Sequence, residues 1–123
     1  MSLSTNIQDG VAEATGRPVY PLRKPQGATL PVVTYQIIST PRPQTHSGGV
    51  RLVTSRVQFD VYATTYGAAE AVAEDLVALF RDGPTLLGAL PVTGRVGNEL
   101  DDVDPITEEY RRTIDVFLQY QEA

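Results

Sequence analysis

The chain has 123 residues, a size typical of one domain, and 41% of them are hydrophobic, which is enough for a folded core. It contains no cysteine, so disulfides, thiolate metal ligands and cysteine nucleophiles are excluded. The formal net charge of −5 argues against general affinity for nucleic acid, because phosphate binding needs concentrated lysine and arginine.

The charge is distributed unevenly along the chain. Residues 1–56 hold six basic and two acidic side chains, giving +4, and residues 57–123 hold four basic and thirteen acidic ones, giving −9. One interpretation is a chance distribution over a solvated surface. The other is a molecule with two faces of opposite sign, suited to head-to-tail contact between copies of itself.

The N-terminal third predicts one helix and two strands, with a loop between the strands. In residues 3–15, Ile7, Val11 and Ala14 recur at helical spacing, and Gly16 stands where a helix would stop. Gly10 weakens this helix. The proline-rich stretch RPVYPLRKPQGATLP then favours a brief edge strand at 19–22 and a flexible loop near 23–31. Residues 32–40, rich in β-branched and aromatic side chains, predict the next strand.

Residues 41–50 are polar and rich in turn formers, so we expect a second flexible loop there. Residues 51–63 are the clearest strand, because their apolar side chains alternate with polar ones. The apolar face carries Val53, Val57, Phe59, Val61 and Ala63, and the polar face carries Thr54, Arg56, Gln58 and Asp60. We expect the first face to be buried and the second to be wet or to contact a partner.

Residues 64–83 predict the main helix, capped by Thr64 or Thr65 and ended by Gly83-Pro84. Its apolar stripe consists of Ala69, Val72, Ala73, Leu76 and Phe80. Beyond it we expect a strand near 91–99, a turn at Asp104-Pro105 and a last strand over 109–121. The order predicts one α+β domain: a largely antiparallel sheet of about four to five strands, with the main helix and a short N-terminal helix on one face.

No constellation of catalytic residues emerges from the sequence. His46 lies in a loop without a cysteine or a Gly-x-Ser-x-Gly elbow beside it. Glu99, Asp101, Asp102 and Asp104 form an acidic cluster, but Pro105 and Ile106 occupy positions where a calcium loop needs ligands. We therefore predict no catalytic, metal or cofactor site. A small metal-dependent enzyme using the acidic cluster and His46 stays open as an alternative of another class.

Three motifs occur in an order that resembles one known family. They are VYPLRKPQGATLPVVTYQIIS, then RVQFDVYATTYGAAEAVAEDLVALF, then DDVDPITEEYRRTIDVFLQY, and together they run from about Val19 to Tyr120. The chain looks like the phage tail completion family, the tail terminator or tail-to-head joining proteins similar to the minor tail protein U. That resemblance implies a small α+β subunit and no enzyme activity.

The resemblance also implies partners and a location. Subunits of this family assemble into a ring, a hexamer, at the head-proximal end of the tail tube. The ring stops polymerisation of the tail tube protein and meets the head-completion or connector protein, while genomic DNA passes through its lumen unread. Assembly would take place in the host cytoplasm. No membrane partner is expected, because there is no signal peptide and no apolar run near the roughly 20 residues that span a bilayer.

Charge and strand pattern suggest which residues meet a neighbouring subunit or partner. These are Arg42, Arg51, Arg56, Gln58, Asp60, Asp101, Asp102 and Asp104. Two further alternatives remain open: a neck or head-closure protein that binds the portal side, and a host-encoded adaptor of no phage origin.

Overall fold

The computed structural model describes residues 3–40, 51–81 and 84–122. The predicted loop at 41–50 lies outside the described residues. The elements in chain order are α1 (Leu3–Thr15), β1 (Val19–Pro21), β2 (Val32–Ser39), β3 (Arg51–Ala63), α2 (Tyr66–Arg81), β4 (Pro84–Leu87), β5 (Leu90–Val103) and β6 (Tyr110–Glu122). The α+β class and both predicted helices are confirmed.

The strands form one six-stranded sheet in the order β1-β2-β3-β6-β5-β4. Every neighbouring pair is antiparallel except β1 and β2, which run parallel. The predicted count of four to five strands is therefore too low. The missing strand is β4, which joins β5 through Gly88 and Ala89; Gly88 has a φ of 61°, a backbone conformation that glycine adopts without strain. β5 also extends past the predicted end, to Val103.

Both helices pack on one face of the sheet, as predicted. The apolar faces of β3 and β6 lie beneath α2, where the rings of Phe59 and Phe80 stack with centroids 5.8 Å apart. Every residue of the predicted α2 stripe and of the predicted apolar face of β3 is buried. Thr65 caps α2, because its Oγ1 accepts a hydrogen bond from the Ala68 amide at 3.2 Å. The opposite side, which the helices leave uncovered, is called the open face below.

α1 is fixed to the β4–β5 turn by close backbone packing. A Cβ on Gly10 would lie 2.7 Å from the Gly88 amide nitrogen, so only glycine allows this approach. Asn6 Oδ1 accepts a hydrogen bond from the Ala89 amide at 3.0 Å. Ile7 and Val11 are buried as predicted, but Ala14 is exposed, because the helix buries its Asn6–Gly10 side against the turn instead.

None of the described residues belongs to a helix with the length and apolar character that crossing a membrane requires.

Candidate functional site

The predicted polar face of β3 lies on the open face, in register with β6. Arg56 stands opposite Phe117, Gln58 opposite Asp115 and Asp60 opposite Thr113. Arg56 Nη2 donates to Asp115 Oδ2 at 3.1 Å, and Thr113 Oγ1 donates to Asp60 Oδ1 at 2.5 Å. This part of the open face is therefore polar; Arg56 and Asp115 pair within the subunit, and a hydroxyl donates to Asp60.

Asp115 is the carboxylate of this network that pairs with a cation. Its side chain is 16% exposed, against 45% for its partner Arg56. Only Oδ2 is satisfied by Arg56; Oδ1 is buried and has no hydrogen-bond partner among the described residues. Because a largely buried carboxylate is costly without a partner, Asp115 needs the positive charge of Arg56. Arg56 itself is exposed enough to contact another molecule as well.

The loop at 23–31 reaches one end of the open face. Lys24 Nζ lies 3.3 Å from Glu109 Oε1 and 5.6 Å from the centre of the Tyr62 ring. Arg17 Nε donates to the Pro31 carbonyl at 3.0 Å, which ties the end of the loop to the segment after α1. These contacts place the loop beside the turn between β5 and β6.

The acidic cluster lies on the β5–β6 hairpin, which we call the arm (Asn98–Ile114). Successive strand residues point to opposite faces, so Asp101 and Asp102 separate. Asp102 meets Arg111 on the open face, with Nη2 and Oδ2 2.8 Å apart. Asp101 meets Arg112 on the helix side, with Nε and Oδ1 2.6 Å apart. Arg112 shares the helix-side face with Ile114.

Tyr66, the first residue of α2, completes the Asp101–Arg112 contact. Its hydroxyl donates to Asp101 Oδ2 and accepts from Arg112 Nη2, both at 3.1 Å. Hydrogen bonds from Arg112, and secondarily from Tyr66, hold the pKa of Asp101 below its ordinary value. The hydrogen bond to Asp101 raises the pKa of Tyr66, and the Asp101 carboxylate raises the pKa of Arg112. All three groups therefore keep their neutral-pH charge states in this contact.

The side chain of Asp104 stabilises the predicted turn through hydrogen bonds to backbone amides. Its Oδ1 accepts hydrogen bonds from the amides of Ile106 at 2.8 Å and Thr107 at 3.2 Å. Those two bonds lower the pKa of Asp104. The Asp104-Pro105 turn is confirmed, and the carboxylate is occupied by it.

The geometry of the acidic cluster argues against the alternative of a metal-dependent enzyme. Asp101, Asp102 and Asp104 each engage a different partner in a different direction, whereas a hard cation needs converging oxygens. Within residues 3–40, 51–81 and 84–122, no group of three or more histidine, aspartate or glutamate side chains is placed to hold a metal ion. His46 and Arg42 lie outside the described residues. Arg51 begins β3, in register with Glu122.

Sequence reasoning missed the arginines of the arm. Arg111 and Arg112 occupy the two positions of β6 that face Asp102 and Asp101 across the hairpin. The predicted turn would not have given this register, because the observed pairs are centred between Ile106 and Thr107, whereas counting outward from Asp104-Pro105 places Asp102 opposite Thr107 and Asp101 opposite Glu108. The exposed apolar residues of the arm were also missed; they are Leu100, Val103 and Ile106.

A family model described as "Tail completion protein gp17" matches residues 8–121. The chain is thus a structural protein of the phage tail. It belongs to the tail completion protein gp17 family, as the order of its motifs predicted.

One solved structure with this fold is a chain from "Virion of native gene transfer agent (GTA) particle". It superposes with a TM-score of 0.63 at 13% identity, over 91% of this chain and 84% of that one. At this identity the likeness concerns the fold. No curated protein sequence matches this chain.

Proposed function

We propose that copies of this chain form a ring, with the six subunits that the family resemblance implies, on the head-proximal end of the tail tube. The ring ends polymerisation of the tube protein and offers a surface to the head-completion or connector protein. The observation that carries this proposal is the match to the tail completion family, which extends over residues 8–121.

The size of the domain supports a multimer. A chain of 123 residues has a radius of gyration of about 14 Å, which is too small for one subunit to enclose a DNA duplex. Contacts between unlike surfaces of identical subunits close into a ring when the rotation between neighbours allows it. A ring of such subunits encloses a channel through which the genome passes without being read.

Surface charge supports passage rather than binding of DNA. The exposed helix residues Asp9, Glu13, Glu74 and Asp75 carry negative charge, and Arg81 is the exposed cation at the end of α2. Phosphates are repelled by such a surface, because affinity for DNA depends on neutralising phosphates with lysine and arginine. The net charge of −5 acts in the same direction.

Cosedimentation tests where the protein acts. Purified tail tube protein is polymerised with and without this chain, and tube lengths and bound protein are measured by electron microscopy and pelleting. The proposal predicts that the chain pellets with tubes, is found at their ends, and shortens them as its concentration rises. Binding to portal or connector complexes with no effect on the tubes would instead favour the neck or head-closure alternative.

The place of assembly follows from the same proposal. The subunit would join the tail in the host cytoplasm and remain in the virion at the junction of tail and head. Immunogold labelling of intact particles and of detached tails would test this, because label elsewhere on the particle contradicts the location.

A further inference from the structure

Among the described residues, part of the sheet edge is unpaired on each side. β4 covers β5 only from Leu90 to Thr93, and no described residue pairs with the same edge from Gly94 to Val103. On the other side, β1 covers β2 from Val33 to Tyr35, and no described residue pairs with that edge from Gln36 to Ser39, where the pairing of β2 with β3 shifts by one residue between Ile37 and Ser39. The two uncovered stretches belong to opposite sides of the strand order.

An uncovered strand edge presents unpaired amide and carbonyl groups, which can pair with another strand. Proteins commonly blunt such edges with bulges or inward-pointing charges. In β5 a bulge lies between Val96 and Asn98, so the regular part of this edge is Asn98–Val103. That part is accessible, because Leu100 is 60% and Val103 46% exposed.

Both edges carry exposed apolar residues, and the charges beside them are of opposite sign. Ile37 and Ile38 are the exposed apolar residues of the β2 edge, at 37% and 39%. Arg56 lies beside Ser39 in register, which puts a half-exposed cation next to that edge. The β5 edge and its turn carry exposed acids instead, at Glu99, Asp104 and Glu108, while the exposed Asp102 is paired with Arg111.

We propose that Asn98–Val103 of one subunit pairs as an added strand with Gln36–Ser39 of the next copy. The partner is a second copy because this chain itself carries an edge with exposed apolar residues and the opposite charge. A contact between two unlike edges is heterologous, so repeating it gives a ring or a filament and not a closed dimer. The inference rests on the proposed ring and names the surfaces that close it.

Disulfide cross-linking tests the pairing, because the chain has no cysteine of its own. One cysteine replaces Gln36 or Ser39, and a second replaces Asn98 or Leu100, in every combination. All these positions lie on the open face, opposite Gln58, Arg56, Asp115 and Thr113 respectively. A disulfide forms only between Cα atoms about 4.4–6.8 Å apart, so cross-linking reports direct strand contact.

Assembly is measured by mass before oxidation, so that the ring and its contact are judged separately. The proposal predicts a covalent ladder that ends at the ring mass for at least one combination. In the matched control, Glu74→Cys on the exposed side of α2 replaces the β5 cysteine, and this variant stays monomeric on a denaturing gel.

Two results would overturn the edge pairing and leave the ring intact. One is a set of rings of normal mass in which no combination cross-links above the control. The other is cross-linking of the β5 cysteine to tail tube protein in place of a second copy. If no ring forms, either alone or on the tube, the proposed function fails first and the pairing fails with it.

Discussion

Arg112 and Asp101 form a two-point ion pair across the β5–β6 hairpin, with Nε to Oδ1 2.6 Å and Nη2 to Oδ2 3.1 Å. Arg112 Nη2 also reaches the Tyr66 hydroxyl, and its guanidinium carbon lies 5.8 Å from the centre of that ring. The ring of Tyr66 in turn meets Tyr110 edge-on, with centroids 6.2 Å apart. One arginine therefore fastens the arm to the start of α2.

Arg112→Lys should loosen the arm, because lysine keeps the charge but not the planar two-point contact. We expect a loss of unfolding free energy of about 1 kcal/mol or less, since Asp101 is 44% exposed and solvent screens the pair. Urea denaturation measures this loss, and amide exchange at Glu99–Val103 should speed up. The matched control is Arg111→Lys, whose pair with Asp102 is exposed on both sides and should contribute less. Equal effects of the two variants would contradict the fastening role.

Stability should depend on pH through Asp104. Two backbone amides hold its folded pKa below the ordinary 3.8, so the unfolded chain binds its proton at a higher pH than the folded chain does. The charge-dependent stabilisation is therefore complete above the ordinary pKa and is lost as the pH falls through the folded pKa. Asp104→Asn keeps an oxygen acceptor and removes the charge. The wild type should be the more stable at neutral pH, and its advantage should shrink below about pH 4. An advantage independent of pH would contradict the assignment.

Gly94→Ala should destabilise the core beneath α2. A Cβ at this position would lie 2.8 Å from the Cβ and Cδ1 atoms of Phe80, which is fully buried. Forcing the two apart should cost about 1–3 kcal/mol, as overpacking typically does. The control is Gly67→Ala at the start of α2, where an added Cβ meets nothing within 4 Å and alanine favours the helix. Thermal unfolding should show a lower Tm for the first variant and an unchanged or higher Tm for the second.

Arg56→Glu should impair assembly. The effect has two possible causes, loss of a contact with a neighbouring subunit and destabilisation of the monomer, and a double variant separates them. Arg56 pairs with Asp115 in its own subunit, so Arg56→Glu alone places like charges together and could act by destabilising the monomer. The double variant Arg56→Glu with Asp115→Arg restores that internal pair with the signs exchanged. If Arg56 also meets acids of a neighbour, the double variant should fold normally but still assemble poorly at low salt.

Assembly of the double variant at the wild-type level would show that Arg56 serves only its own subunit. The parallel reversal Arg51→Glu tests whether the effect extends along β3. High salt should narrow every difference that arises from exposed charges, because the Debye length falls to about 3 Å at 1 M.

Much of the fold could be predicted from the sequence, because its long elements are strongly periodic. The alternation of β3 and the apolar stripe of α2 each fix which side is buried, and both agree with the structure. Family membership could also be predicted, since the order of three motifs extends over most of the chain. These signals are local, or depend only on order along the chain.

The relationships that could not be predicted are those that depend on distant parts of the chain. Gly10 reads as a weakness of α1, whereas the structure shows that it permits close contact with Gly88. β4 is too short to show a period, and it exists as a strand because β5 pairs with it. The unpaired edge of β5 begins where its pairing with β4 ends, and no local sequence pattern predicts that position.

The claim on which this account depends is that the chain works as one segment of a ring. Native mass spectrometry and negative-stain microscopy test it most directly, on the purified protein alone and after mixing with tail tube protein. The account predicts closed particles of a single mass, a whole-number multiple of the 13.4 kDa subunit, in at least one of the two conditions. A strict monomer in both would contradict it.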